Sequence, residues 1–117
     1  MRLTEIQYDG SKPIDGYGPG FFRIGGEKVE GAITVLPSGI ASWGGFDDTD
    51  AIVAAADAID VVFVGTGAEI AHAPAAFRAA VEAAGIGVEV MASPAACRTF
   101  NVLLSEGRRV ALALLPV

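Results

Sequence analysis

The apolar run from Val110 to Leu115 constrains the fold more than any other stretch, because no polar residue interrupts it. A strand that is apolar on both faces needs a covering layer on both faces, so this run predicts a strand inside a sheet rather than at its edge. A second apolar run, Val61 to Val64, ends at Gly65. Its composition predicts a buried strand of the parallel type.

A helix is predicted between Ser93 and Gly107, directly before the last strand. Ser93 is suited to cap the free N–H groups of the first turn, and Pro94 occupies the first helical position, where its missing N–H costs nothing. Gly107 supplies a left-handed stop. Helical spacing places one set of residues on a common face: Cys97, Phe100, Asn101 and Leu104.

The chain up to about residue 45 carries the signals of small antiparallel β structure. Gly25-Gly26 fits a primed two-residue turn of a hairpin, and Pro37-Ser38-Gly39 makes a second turn. The strands predicted in this part of the chain are Met1–Tyr8, Phe21–Ile24, Glu27–Val35 and Ile40–Trp43.

Beyond this part the pattern changes to alternating helices and strands. Asp47-Asp48-Thr49 offers several N-caps for an alanine-rich helix from Asp50 to Ala58. Pro74 opens a second helix that closes at Gly85, and a short strand is predicted over Gly87–Met91. This succession of strands and helices indicates a single domain over residues 1–117, of the layered α/β class.

The composition excludes several classes of protein. With 52% hydrophobic and 19% charged residues the chain is not disordered. A net charge of −6 argues against a nucleic-acid partner, since neutralising phosphates requires a basic surface. One cysteine cannot form an intrachain disulfide, and one histidine cannot build a histidine triad or a histidine-rich metal site. No metal, no cofactor and no catalytic residue is therefore predicted.

Targeting signals are not predicted either. Glu5 and Asp9 come too early for a signal peptide. Asp57 and Asp60 interrupt the best candidate for a membrane span, so no transmembrane span is expected. A cytoplasmic location follows as the expectation, with membrane association through a partner left open.

Two loops stand where α/β domains commonly bind ligands, after a buried strand and near a helix N-terminus. One loop is Gly65–Glu69, and the other leads from Met91 into the helix that contains Ser93–Thr99. If the two strands are neighbours, polar groups of both loops converge. The candidate binding residues are then Gly65, Thr66, Gly67, Glu69, Ser93, Arg98 and Thr99.

The alternative for these loops is purely structural. In that interpretation the glycines make a tight turn, Ser93 caps the helix and Arg98 pairs with a carboxylate. A dinucleotide fingerprint is absent, because Ile70 stands where a third glycine is needed, and the chain has no P-loop.

Isolated reactive residues are expected to be structural. Cys97 stands early in its helix beside Arg98, which favours a lowered thiol pKa, but it shares the apolar face, so packing is its predicted role. His72 has no serine or cysteine partner at a recognisable spacing. The carboxylates of Asp47, Asp48 and Asp50 lack the calcium-loop pattern. They are expected to cap the following helix and to complement its dipole.

Several motifs together resemble one known family. They are Tyr17-Gly18-x-Gly20, Phe22-Arg23-Ile24, Gly65-Thr66-Gly67-x-Glu69, Ala95–Leu103 and Glu106–Val110. This set resembles the complex I assembly factor 3-like family, domain of unknown function 498, over almost the entire chain. The family commonly has tyrosine where this chain has Phe100, and threonine with a small residue in place of Ser93-Pro94.

The resemblance implies a compact three-layer α/β fold: a mixed central sheet, helices packed on it and an additional N-terminal antiparallel β layer. It also implies that the last strand runs antiparallel to its neighbours. Because mitochondrial relatives help assemble respiratory complex I, it implies a non-enzymatic binding or assembly factor whose partner is a membrane-complex subunit. Such a protein is expected in the cytoplasm, at the periphery of the inner membrane through its partner.

The alternative hypothesis is a small-molecule binding protein or an enzyme. Arg98 and the N–H groups of the Gly65–Glu69 and Ser93–Thr99 loops would then hold an anionic group, oriented by Thr66 and Thr99.

Overall fold

The structure is a computed structural model that describes residues 11–117, so the strand predicted over Met1–Tyr8 lies outside the described residues. In chain order the elements are β1 (Gly16–Gly18), β2 (Phe21–Ile24), β3 (Glu27–Glu30), β4 (Ile33–Leu36), β5 (Gly39–Ser42), α1 (Asp50–Ala54), β6 (Val61–Thr66), α2 (Ala75–Ala83), β7 (Gly87–Met91), α3 (Ser93–Ser105) and β8 (Val110–Leu115).

The central sheet contains five strands in the order β5-β4-β8-β6-β7, so the apolar run Val110–Leu115 lies in the middle, as predicted. Strand β8 is parallel to β6, pairing Val110 with Val61, and antiparallel to β4, pairing Leu114 with Ile33. The implied antiparallel orientation toward both neighbours is therefore wrong on the β6 side. Helices α2 and α3 each return the chain along the sheet, which makes β6, β7 and β8 parallel.

A smaller antiparallel sheet, β1-β2-β3, forms the additional β layer. Its hairpin turns at Gly25 and Gly26, whose φ values of 60° and 84° require residues without a Cβ. The single strand predicted over Glu27–Val35 is wrong, because Gly31 adopts a φ of 81° and divides it into β3 and β4. Strands β4 and β5 thereby leave the small sheet and join the central one.

The core lies on both faces of the central sheet. Along β8, Leu112 and Leu114 pack with the small sheet and α3, whereas Ala111 and Ala113 pack with α1 and α2. Burial on both faces explains why β8 shows no polar alternation. Each large apolar side chain removed from water contributes about 1.5–3 kcal/mol. The main contributors beyond β8 are Phe22, Ile24 and Phe100 on one face, and Ile52, Phe77 and Val81 on the other.

The ends of the helices depart from the sequence prediction at three points. Ala92 is the N-cap of α3, and Ser93 is its first helical residue, so the predicted Ser93 cap is wrong. Thr49 precedes α1 without a capping side-chain bond, and the Asp48 carboxylate accepts instead from the Gly44 N–H at 2.9 Å. Helix α1 ends at Ala54 rather than Ala58, because the chain turns to bury Ile59 before β6.

The end of α3 follows the prediction. Gly107 has a φ of 80°, and its N–H donates to the Leu104 carbonyl at 3.0 Å. The Arg108 N–H donates to the Leu103 carbonyl, also at 3.0 Å, which completes a Schellman motif. Within residues 11–117, no helix has the length and the apolar character needed to cross a membrane.

Candidate functional site

The two loops singled out by the sequence are in direct contact, because β6 and β7 are neighbouring parallel strands. The Gly67 N–H donates to the Ser93 hydroxyl at 2.9 Å, and the Ser93 N–H donates to the Gly67 carbonyl at 2.8 Å. The convergence on which the candidate site depends is therefore present for Gly67 and Ser93.

The hydroxyl of Ser93 joins three parts of the chain. Besides accepting from Gly67, it donates to the carbonyl of Leu115, at the end of β8, at 2.6 Å. Ser93 is completely buried. Its donor and acceptor are both used inside the protein, so the side chain ties β6 and β8 to the start of α3 instead of capping the helix.

Thr66 orders the loop that follows β6. Its hydroxyl lies 2.8 Å from the Glu69 carbonyl and 3.3 Å from the Met91 carbonyl, and it accepts from the Ala71 N–H at 3.0 Å. The side chain of Glu69 itself is exposed. The chain from Thr66 to Ala71 is thus folded around one hydroxyl, which explains why a threonine stands there.

The space between the two loops is filled by protein. A Cβ added to Gly65 would lie 2.6 Å from the Ser93 Oγ, 2.7 Å from the Leu114 Cδ2 and 2.8 Å from the Ser93 Cα. Gly65 therefore permits a close approach of α3 to β6, which is a structural use of a glycine.

Arg98 lines a cleft to which none of the residues Gly65–Glu69 contributes. Arg98 is exposed, and the cleft has a volume of about 250 Å³ between the start of the small sheet and α3. Within residues 11–117 it forms no ion pair, so the carboxylate partner of the structural interpretation is not found there. Thr99 is half-buried on the same helix. The other residues lining this cleft are Ile14, Asp15, Gly16, Tyr17, Pro94, Cys97, Asn101 and Val102.

Asn101 holds one wall of this cleft in place, a role that the sequence interpretation missed. Its amide nitrogen donates to the Ile14 carbonyl at 2.8 Å, and its amide oxygen accepts from the Ile14 N–H at 2.8 Å. The two bonds resemble one pairing step of a β-ladder and fasten the chain before β1 to α3. An asparagine on an otherwise apolar helix face was the available signal.

Cys97 packs in the core, as its position on the apolar face predicts. Only 4% of the residue is exposed, and burial raises the pKa of its thiol to about 12. At neutral pH the thiol stays protonated, and the thiolate is the reactive form.

We expect Cys97 to react far more slowly in the folded protein than in concentrated urea. At about pH 8, the rise in the thiol pKa from 9.0 to about 12 leaves roughly a thousandfold less thiolate. The rate of reaction with a chromogenic disulfide reagent measures this difference. A Cys97→Ser, Ser105→Cys protein is the matched control, because position 105 is exposed on the same helix. Equal rates for the two folded proteins would contradict the conclusion that the Cys97 thiol is unreactive in the folded protein.

Arg109 joins the start of β8 to the chain before β6. Its Nη2 lies 2.8 Å from the Asp60 Oδ1, and its Nη1 donates to the Asp57 carbonyl at 2.9 Å. The hydrogen bond from Arg109 holds the pKa of the Asp60 carboxyl below its ordinary value of 3.8. This contact accounts for the second arginine of the Arg108-Arg109 pair.

The contribution of Asp60 to stability should depend on pH in one direction. Because the carboxyl pKa is lower in the folded state, the stabilisation is present above the unfolded pKa near 3.8 and is lost as the pH falls through the folded pKa. Urea midpoints of the native protein and of Asp60→Asn should therefore differ at about pH 7 and converge toward about pH 2. Asp57→Asn is the control, since Arg109 contacts the backbone carbonyl of Asp57. A difference that grows on acidification would contradict the assignment.

The remaining candidates stay apart from the loop contact. His72 is exposed and lines a separate cleft with Ile70 and Arg78. The carboxylate of Asp48 is turned toward the Gly44 N–H. In the described part of the chain, no three His, Cys, Asp or Glu side chains are grouped closely enough to hold a metal ion.

Fold and site together define a small three-layer α/β domain in which the buried hydroxyl of Ser93 connects β6 and β8 to α3, and an exposed cleft lies along α3. Residues 14–115 match the family model described as protein of unknown function (DUF498/DUF598). The chain belongs to this family.

Relatives align over nearly the whole chain. An uncharacterised protein of Rhodobacter capsulatus is 47% identical over 100% of this chain and 94% of its own length. NADH dehydrogenase [ubiquinone] 1 alpha subcomplex assembly factor 3 of Danio rerio is 37% identical over 99% of this chain and 71% of its own length. A crystal structure titled as an outer membrane protein from Bartonella henselae superposes with a TM-score of 0.84 at 37% identity, covering 92% of this chain and 97% of that one.

Proposed function

We propose that this protein is a non-enzymatic binding or assembly factor that acts on a subunit of respiratory complex I. One observation carries the proposal: relatives named as complex I assembly factor 3 align with 99% of this chain in Danio rerio and 98% in Homo sapiens. The alignments therefore cover the whole described domain, including both sheets and the α3 cleft, rather than an isolated motif.

The chemistry of the site supports binding rather than catalysis. The Ser93 hydroxyl already accepts from the Gly67 N–H and donates to the Leu115 carbonyl. A role as a nucleophile would require those buried backbone groups to lose their partner, at a cost of about 1–3 kcal/mol for each. Burial keeps the pKa of the Cys97 thiol at about 12, which suppresses the thiolate.

A cytoplasmic site of action belongs to the same proposal. In this view the protein reaches the inner membrane through its partner, as a peripheral component of an assembly intermediate. The partner subunit supplies the attachment.

Purification of a chromosomally tagged protein from its own cells tests this function. The sample is extracted under gentle conditions and analysed by native mass spectrometry, with an unrelated tagged protein of similar size as control. We expect a retained complex I subunit and, in a deletion strain, a lowered amount of assembled complex. Normal complex I in the deletion strain, with no subunit retained, would refute the proposal.

A second candidate function is the binding of a small anion by the two loops. It is favoured by the exposure of Arg98 and by the lack of an ion-pair partner for Arg98 within residues 11–117. The residues proposed for it are Gly65, Thr66, Gly67, Glu69, Ser93, Arg98 and Thr99.

Calorimetric titration with inorganic phosphate and with succinate tests the anion hypothesis. Saturable binding by the native protein that is lost in both Arg98→Ala and Thr99→Ala would support the hypothesis. Neither substitution removes a partner of the Ser93 hydroxyl, which bonds to Gly67 and Leu115. Absence of binding by the native protein at millimolar anion would reject it.

A further inference from the structure

The cleft along α3 joins two of the large apolar side chains that residues 11–117 expose. Tyr17 is 49% exposed on one rim, and Val102 is 52% exposed on the other. A third, Ile70, is 68% exposed but lines the separate cleft that contains His72. The two exposed apolar side chains stand on opposite sides of one groove. Removing them from water by covering the groove with another molecule is energetically favourable.

The groove also carries a positive charge that the described chain does not neutralise. Arg98 forms no ion pair within residues 11–117, although the protein has a net charge of −6. Asp15 is the acidic residue that lines this groove, and its carboxylate is oriented toward the Gly26 N–H, at 3.3 Å. A guanidinium beside exposed apolar side chains is complementary to a carboxylate, which it can bind through two parallel hydrogen bonds.

The walls of the groove are held in position before any partner arrives. Asn101 makes two hydrogen bonds of 2.8 Å to the backbone of Ile14, and Cys97 packs beneath in the core. A preformed surface reduces the ordering cost of binding. Its volume of about 250 Å³ falls below the ~300–1,000 Å³ of typical small-molecule sites, which favours a segment of a protein lying across it.

We propose that this groove docks a segment of a partner protein in which a carboxylate side chain, paired with Arg98, stands beside apolar side chains that cover Tyr17 and Val102. The proposal rests on the binding function proposed above and assigns the surface that performs it. The contact uses side chains of α3 and of the segment Ile14–Tyr17, and it leaves the Gly67–Ser93 junction unchanged.

A displayed library of random twelve-residue peptides, selected on the native protein, is the first probe. We expect the enriched peptides to contain Asp or Glu next to apolar residues. A synthetic peptide with the most enriched sequence should bind Arg98→Glu and Val102→Asp at least about tenfold more weakly than it binds the native protein. Ile70→Asp is the matched control, because it adds the same charge at an exposed apolar position in the other cleft, and it should bind like the native protein.

Charge reversal makes the test specific for the ion pair. The selected peptide with its Asp or Glu replaced by Lys should regain affinity for Arg98→Glu. Peptides that bind Arg98→Glu and Val102→Asp as tightly as the native protein would overturn the proposal. So would a library from which nothing is enriched on the native protein relative to Arg98→Glu.

A photo-crosslinking amino acid placed at Val102 or at Ile70 separates this inference from the proposed function. Crosslinking of a complex I subunit from position 102 and not from position 70 supports the groove. If the subunit still co-purifies with Arg98→Glu and crosslinks only from position 70, the groove is wrong while the function stands. If acidic peptides bind in an Arg98-dependent manner but no complex I subunit is retained, the docking groove is supported and the proposed complex I partner is wrong.

Discussion

Gly65→Val should lower the free energy of unfolding by about 3 kcal/mol, the largest effect that we expect from a single substitution in the two loops. The added Cβ would approach the Ser93 Oγ to 2.6 Å and the Ser93 Cα to 2.8 Å. Since a Cα belongs to the backbone, no rotation of a side chain relieves this contact, and α3 has to move away from β6. Urea unfolding followed by the fluorescence of Trp43, the only tryptophan, measures the change.

Gly16→Val is the matched control for this substitution. Gly16 also lies in a strand, and a Cβ added there has nothing within 4 Å. We expect its free energy of unfolding to stay within about 0.5 kcal/mol of the native value. Equal stability of the two variants would mean that the close approach of α3 to Gly65 is not a determinant of stability.

Ser93→Ala should cost about 2 kcal/mol, the second largest effect. It removes the hydroxyl that accepts from the Gly67 N–H and donates to the Leu115 carbonyl, and it leaves both groups unpaired beside a buried residue. Urea unfolding gives the global cost. Amide hydrogen exchange at Gly67 should show a loss of protection if the hydroxyl is the local partner.

Ser105→Ala tests whether any serine of α3 has this effect. Its hydroxyl bonds to the Val102 carbonyl of the same helix in an exposed position, so its removal should change stability by less than about 0.5 kcal/mol. A Ser93→Ala protein as stable as Ser105→Ala would show that the hydroxyl is not needed for the fold.

The site was predictable where strand order alone brought residues together. The sequence places Gly65–Glu69 and Ser93 after two buried strands, and the parallel pairing of β6 with β7 makes those loops neighbours. The use of their polar groups was not predictable. Whether a serine caps its own helix or bridges Gly67 and Leu115 depends on contacts between distant segments, and local spacing contains no information about them.

The α3 cleft was likewise not predictable from local sequence, because its two walls come from distant parts of the chain. Tyr17 and Val102 are far apart in sequence, and each alone is an ordinary surface residue. They form a groove because Asn101 fastens the backbone of Ile14 to α3. An amide that could equally have faced solvent thus determines which two apolar side chains stand beside Arg98.

The sequence by itself determined the features that depend on local chemistry. The left-handed positions of Gly25, Gly26 and Gly107 end a strand or a helix because these conformations disfavour any Cβ. The unbroken apolar run Val110–Leu115 requires a place inside the sheet, because both of its faces have to be removed from water.

Tertiary structure alone decided how those elements combine. The parallel orientation of β8 beside β6 and the double hydrogen bond of Ser93 both depend on which segments pack against each other. These choices are made by burial and hydrogen bonding between residues far apart in the chain. A periodicity read over a few neighbouring residues does not contain them, because the energies that decide them arise only when the layers close.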